Sequence, residues 1–135
     1  MSRSRTMIKG VIAAVVLVLV VSTAMAASLH LRLTKSYPEA DQVLTVAPDT
    51  VRLWFSEEPE MALALIGIEG ANGKVDVAKV EKTDDPTSFK ARVLGDLPAG
   101  TYRITWRTAG EDGHAIRGRY DFEVGTAQPK GSNHE

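Results

Sequence analysis

Cysteine is absent from the 135 residues. That excludes disulfides, a cysteine nucleophile and the anchored cysteine of a lipoprotein, and it leaves an apolar core as the source of stability. A basic excess is missing as well: sixteen Lys and Arg face seventeen Asp and Glu, a net charge of −1, whereas a generic nucleic-acid binder would look basic. Beyond the first 26 residues there is no apolar run long enough to span a bilayer, no stretch that keeps a helical stripe for three turns, and no internal repeat. Histidine occurs three times, and Met61 is the only methionine after residue 26.

What is present begins with an export leader. "MSRSRTMIK" is basic, "GVIAAVVLVLVV" is an apolar run of about a dozen residues, and "STAMA" offers the small residues Ala24 and Ala26 to a signal peptidase. The sequence therefore predicts a signal peptide over 1–26, one domain over 27–125 and a flexible tail over 126–135 that holds His134. Removing the leader takes away Arg3, Arg5 and Lys9, so thirteen basic residues would remain against seventeen acidic ones, a mature net charge of −4.

After the leader the apolar period is two, which predicts an all-β chain. Seven strands are expected: "HLRLTKS", "TVRLWFSE", "ALALIGIE", "KVDVAKVEK", "SFKARVL", "GTYRITWRTA" and "AIRGRYDFEV". The segments between them are rich in Pro, Gly, Asp and Asn. Alternation groups Val51, Leu53 and Phe55 on one face, Tyr102, Ile104 and Trp106 on a second, and Ile116, Tyr120, Phe122 and Val124 on a third. These faces should form the core of a Greek-key, immunoglobulin-like sandwich or barrel. Trp106 is expected in that core, Trp54 on the opposite, partly exposed side of its strand, and Met61 at a strand edge.

Two of the three histidines flank this domain. His30 is expected to open the first strand and His114 the last, and in a sandwich those two strands can be neighbours. Asp112 stands two residues before His114 in "EDGH", where Asp-Gly is also a hairpin turn signal. Two imidazoles with a carboxylate suit a borderline divalent ion, Cu(II) or Zn(II). Surface histidines on a β protein are the plainer reading.

From His30 onward the chain resembles the CopC family of periplasmic copper-binding proteins. The resemblance rests on "HLRLTKSYP", "LWFSEEP" and the long stretch "LPAGTYRITWRTAGEDGHAIRGRYDFEV", which are similar to the family's starting histidine with L..S.P, its F-S-E, its L-P-x-G-x-Y and its D-G-H-x-x-x-G-x-x-x-F. It implies a Greek-key sandwich with a Cu(II) site, carried over here to His30, Asp112, His114 and Glu57. Glu57 sits in "SEEPE", which can equally be a solvated acidic turn. Two departures follow. Family histidines stand at mature position one, where amine and imidazole chelate together, but cleavage after Ala26 leaves His30 fourth, and cleavage after Ala27 leaves it third. A methionine-rich Cu(I) loop is also missing.

The resulting expectation is a periplasmic, monomeric Cu(II)-binding protein for copper sequestration, resistance or delivery to a membrane partner such as a CopD-like protein. Its ligands bind as neutral imidazole and ionised carboxylate, so affinity should weaken as pH falls through the histidine range. The alternative is an immunoglobulin-like interaction module with a weak or lost metal site, favoured by the displaced His30. No enzymatic activity is expected: a histidine brace needs histidine as the first residue, and Ser56 has no nucleophile-elbow glycines around it.

Overall fold

The alternation of Thr50–Phe55 sends Val51, Leu53 and Phe55 inward, and all three are buried. The same parity buries Tyr102 and Ile104 on one long strand, and Phe122 and Val124 on its partner. The computed structural model of the chain describes residues 30–126. The expected leader, and the tail from residue 127 with His134, lie outside the described residues. The chain divides into two units, Met1–His30 and Leu31–Glu135, and among the described residues every strand belongs to the second.

The strands in chain order are β1 (Leu33–Tyr37), β2 (Val43–Leu44), β3 (Thr50–Phe55), β4 (Leu65–Gly70), β5 (Gly73–Val75), β6 (Glu81–Lys82), β7 (Ser88–Arg92), β8 (Gly100–Ala109) and β9 (Ala115–Val124). They form two sheets, ordered β1-β3-β7-β6 and β2-β9-β8-β4-β5. Sheet neighbours such as β3 and β7, or β4 and β8, are far apart in the chain, so the chain crosses repeatedly between layers as in a Greek key. The expected all-β sandwich is the fold observed.

Aromatic rings join the layers. Phe55 of β3 packs on Phe89 of β7 at 5.1 Å and meets Trp106 of β8, in the other sheet, edge-on at 5.4 Å. Burying a side chain of the size of Phe or Leu contributes about 1.5–3 kcal/mol, and with no disulfide this core holds the fold together. Trp106 packs against the core as expected. Trp54 is half-buried on the outer face of its sheet, with the Lys35 ammonium 4.8 Å and the Arg52 guanidinium 4.6 Å from its ring.

The structure departs from the sequence reading at four places. Among the described residues nine strands replace the expected seven. "KVDVAKVEK" is not one strand: β5 belongs to one sheet and β6 to the other, and between them Val77 bridges Val93 as the chain crosses over. Val75 and Val77 share a parity that Val80 breaks, which marks the crossing. β2, two residues inside a turn-rich segment, pairs in parallel with β9. β1 starts at Leu33 rather than His30, and β1 and β9 lie in different sheets, so first and last strands are not sheet neighbours. Met61 lies in a short 3-10 turn, Met61–Leu63, half-buried against the core, not on a strand edge.

Candidate metal centre

Three chain segments meet at one end of the sandwich, and backbone hydrogen bonds fix them there. The Ser56 amide donates to the Arg32 carbonyl at 2.9 Å, and the Arg32 amide donates to Ser56 Oγ at 3.1 Å. The start of the domain is thereby clasped to the end of β3. The Glu60 amide donates to the Ala109 carbonyl at 2.8 Å, and the buried Thr108 hydroxyl donates to the Glu60 carbonyl at 3.1 Å, so the "SEEPE" turn is tied to the end of β8. Between these segments lies Gly110, which is buried. A Cβ placed on it would lie 3.1 Å from Glu57 Oε1, 3.2 Å from Leu31 Cβ and 3.3 Å from Asp112 Oδ1. Glu57 and Asp112, 55 residues apart in sequence, thus present carboxylate oxygens to the same spot.

Gly110 opens the turn that carries Asp112 and His114 into β9. Ala109 pairs with Ala115, and the loop between them is closed by the Gly113 amide donating to the Gly110 carbonyl at 3.0 Å. Gly113 has φ +79°, a left-handed conformation that a residue without Cβ adopts at little cost. Within the loop Asp112 binds its neighbour twice: Oδ1 accepts from the His114 amide at 3.0 Å, and Oδ2 meets His114 Nδ1 at 2.9 Å. An ionised carboxylate only accepts, so Nδ1 carries the proton and the lone pair of the neutral ring is on Nε2. This hydrogen bond first, and the Asp112 charge second, raise the His114 pKa above its ordinary value. The ring is 82% exposed and its Nε2 edge is accessible.

Of the four residues singled out from the sequence, Asp112 and His114 form one bonded unit, and Glu57 joins Asp112 around Gly110. His30 is the first described residue and is exposed. Among the described residues no three His, Cys, Asp or Glu side chains are gathered closely enough to hold an ion. Glu57 also lines a neighbouring cleft of about 440 Å³ with Glu58, Glu60, Met61, Lys82 and Glu111. The sequence reading missed Ser56 and Gly110, whose importance lies in contacts with residues distant in the chain. The serine in "FSE" was a visible signal, but its partner, the backbone of Arg32, was not.

The CopC domain family matches residues 33–125, most of the chain. The chain belongs to the CopC family. Copper resistance protein C of Escherichia coli is 36% identical to it over 114 residues, covering 78% of this chain and 90% of that protein. Copper transport protein CutJ of Bacillus subtilis is 32% identical over 100 residues, 73% of this chain but 18% of that protein. Among solved structures, PcoC, a methionine-rich copper resistance protein from Escherichia coli, matches with TM-score 0.63 at 35% identity, covering 70% of this chain and 98% of PcoC. CopC from Methylosinus trichosporium OB3b matches with TM-score 0.66 at 26% identity, covering 74% and 98%.

CopC-family proteins bind copper and are not enzymes. In this CopC-family chain the motifs divide by physical role. L-P-x-G-x-Y is architectural: the Tyr102 hydroxyl donates to the Pro98 carbonyl four residues upstream, the tyrosine-corner arrangement of sandwich folds. The glycine four residues after His114 is architectural too, because the Trp106 indole lies where a side chain on Gly118 would be. F-S-E combines a clasp, Ser56, with a carboxylate at Gly110, Glu57. D-G-H supplies the carboxylate–imidazole unit.

Proposed function

We propose that this CopC-family protein is exported to the periplasm after loss of residues 1–26, leaving the domain 27–125 and the tail 126–135. There it works as a monomer that binds one Cu(II), for sequestration, resistance or delivery to a membrane partner of CopD-like kind. The observation that carries the reading is the Asp112–His114 pair, with Glu57 beside Asp112 over Gly110. His114 offers Nε2 to the ion, Asp112 orients the ring and adds negative charge, and Glu57 supplies a further oxygen. The resemblance to the family adds His30 as the remaining donor of the set.

The copper resistance and copper transport relatives support copper as cargo. CutJ, where the matched part is a small share of a longer transport protein, supports delivery to a partner outside this domain. The test is equilibrium dialysis of the purified exported form, its first residue determined by N-terminal sequencing, together with a visible titration for the Cu(II) d–d band. About one equivalent should bind, and His114→Ala should remove most of it. Equal uptake by parent and variant overturns the reading. No band at neutral pH favours the interaction module instead.

A further inference from the structure

The outer face of the five-stranded sheet carries a feature that copper binding does not use. Arg107 and Arg117 are directly opposite each other on β8 and β9, and Arg119 is opposite Thr105. On the other flank of β8, Leu65 is opposite Arg107 and Gly67 is opposite Thr105. With a bare glycine and a short threonine flanked by long side chains, the face sinks into a groove of about 640 Å³ lined by Leu65, Gly67, Thr105, Arg107, Arg117 and Arg119. Farther along the same face, the Arg103 guanidinium grips both Asp121 oxygens at 2.8 and 3.1 Å.

Among the described residues none of Arg107, Arg117 and Arg119 makes a salt bridge, and all three are exposed. Like charges directly opposite across a sheet are destabilising, and here they gather on one face of a chain whose overall charge is negative. Guanidinium forks match carboxylates in geometry as well as charge. The exposed Leu65 adds an apolar contact at the same place.

We propose that this groove is a docking surface for an extended acidic segment of a partner protein, whose carboxylates meet the three arginines. The groove is shallow and open, and a chain laid along it reaches the arginines that flank its glycine and threonine floor. The Arg107–Arg117 rung is two rungs from Ala109–Ala115, the pair that closes the Asp112–His114 turn, roughly 7 Å at about 3.4 Å per residue. A partner seated here stands next to that turn, although its binding needs no metal.

The experiment is fluorescence anisotropy of metal-free protein at low ionic strength, with a labelled, end-blocked peptide alternating Glu and Val and a matching peptide alternating Lys and Val. The parent should bind the acidic peptide, less well as salt rises. The charge-reversed variant Arg107→Glu/Arg117→Glu/Arg119→Glu should bind it at least about tenfold more weakly and bind the Lys peptide instead. Should that variant not fold, Arg107→Gln/Arg117→Gln/Arg119→Gln serves for the loss of acidic binding. Arg92→Glu, an exposed arginine on the other sheet, should leave binding unchanged. The proposal is overturned by no binding in the parent, by unchanged binding in the reversed or neutral variant, by an equal loss with Arg92→Glu, or by binding to phosphatidylglycerol vesicles but not to the peptide.

Discussion

Asp112 and His114 act as a single unit because the carboxylate is bonded to both the amide and the ring of its neighbour. Asp112→Asn removes the charge and loosens control of the ring without touching the core. Copper affinity should fall by about 10–100-fold, the range found when a group that orients a metal-binding histidine is altered, with little change in melting temperature. A titration by isothermal calorimetry checks this. A variant that binds copper as tightly as the parent removes Asp112 from the site. Gly118 illustrates the opposite kind of residue, one whose value is purely steric. A Cβ there would lie 2.5 Å from Trp106 Cζ2. Gly118→Ala should therefore cost about 1–3 kcal/mol, the usual penalty of overpacking, read from a urea denaturation with Trp106 fluorescence as the probe.

The segment entering β1 is held to the end of β3 by a reciprocal pair of hydrogen bonds between Arg32 and Ser56. Ser56→Ala removes the acceptor for the Arg32 amide while leaving β3 intact. A net loss of about 0.5–1.5 kcal/mol is expected, concentrated locally. The Arg32 amide should exchange with solvent faster, whereas amides in the middle of β3 and β8 keep their protection. Uniform exchange across the sandwich in the variant contradicts the clasp.

For the molecule as a whole, pH acts on stability through groups whose ionisation the fold resists or assists. Burial pushes the Tyr120 hydroxyl up to about 12, and among the described residues it has no hydrogen-bond partner; Ser36 lies near without closing a bond. The fold favours the neutral phenol, so this contribution is full below the ordinary value of 10 and is lost as pH rises from there towards 12. Thr87 hydrogen bonds lower the Asp85 pKa, and Arg103 lowers that of Asp121. Their contributions are present above 3.8 and vanish as pH falls through the depressed values. His114 runs the other way across neutrality: its pairing helps below 6.5 and fades as pH rises through the raised value, weakly because the ring is exposed and screened. Urea midpoints should therefore fall at both pH extremes, and alkaline unfolding should coincide with late tyrosinate absorbance. Three tyrosines that all ionise near 10 in the folded protein contradict the burial of Tyr120.

How far the chain could be read in one dimension follows from what periodicity encodes. Alternation tells which side of a strand a residue faces, so Val51, Leu53, Phe55, Ile104 and Phe122 were legible as core. It does not tell which strand lies alongside, so the parallel pairing of β2 was hidden, and the parity break at Val80 marked a crossing in "KVDVAKVEK" without naming the strands on either side of it. Asp112 and His114 were legible because two residues around a Gly113 turn meet whatever the remaining chain does. Glu57 beside Gly110, Ser56 on Arg32, and three arginines around Gly67 arise from register between segments tens of residues apart. That register is set when Phe55, Phe89 and Trp106 pack the layers together, a long-range choice that no local pattern carries.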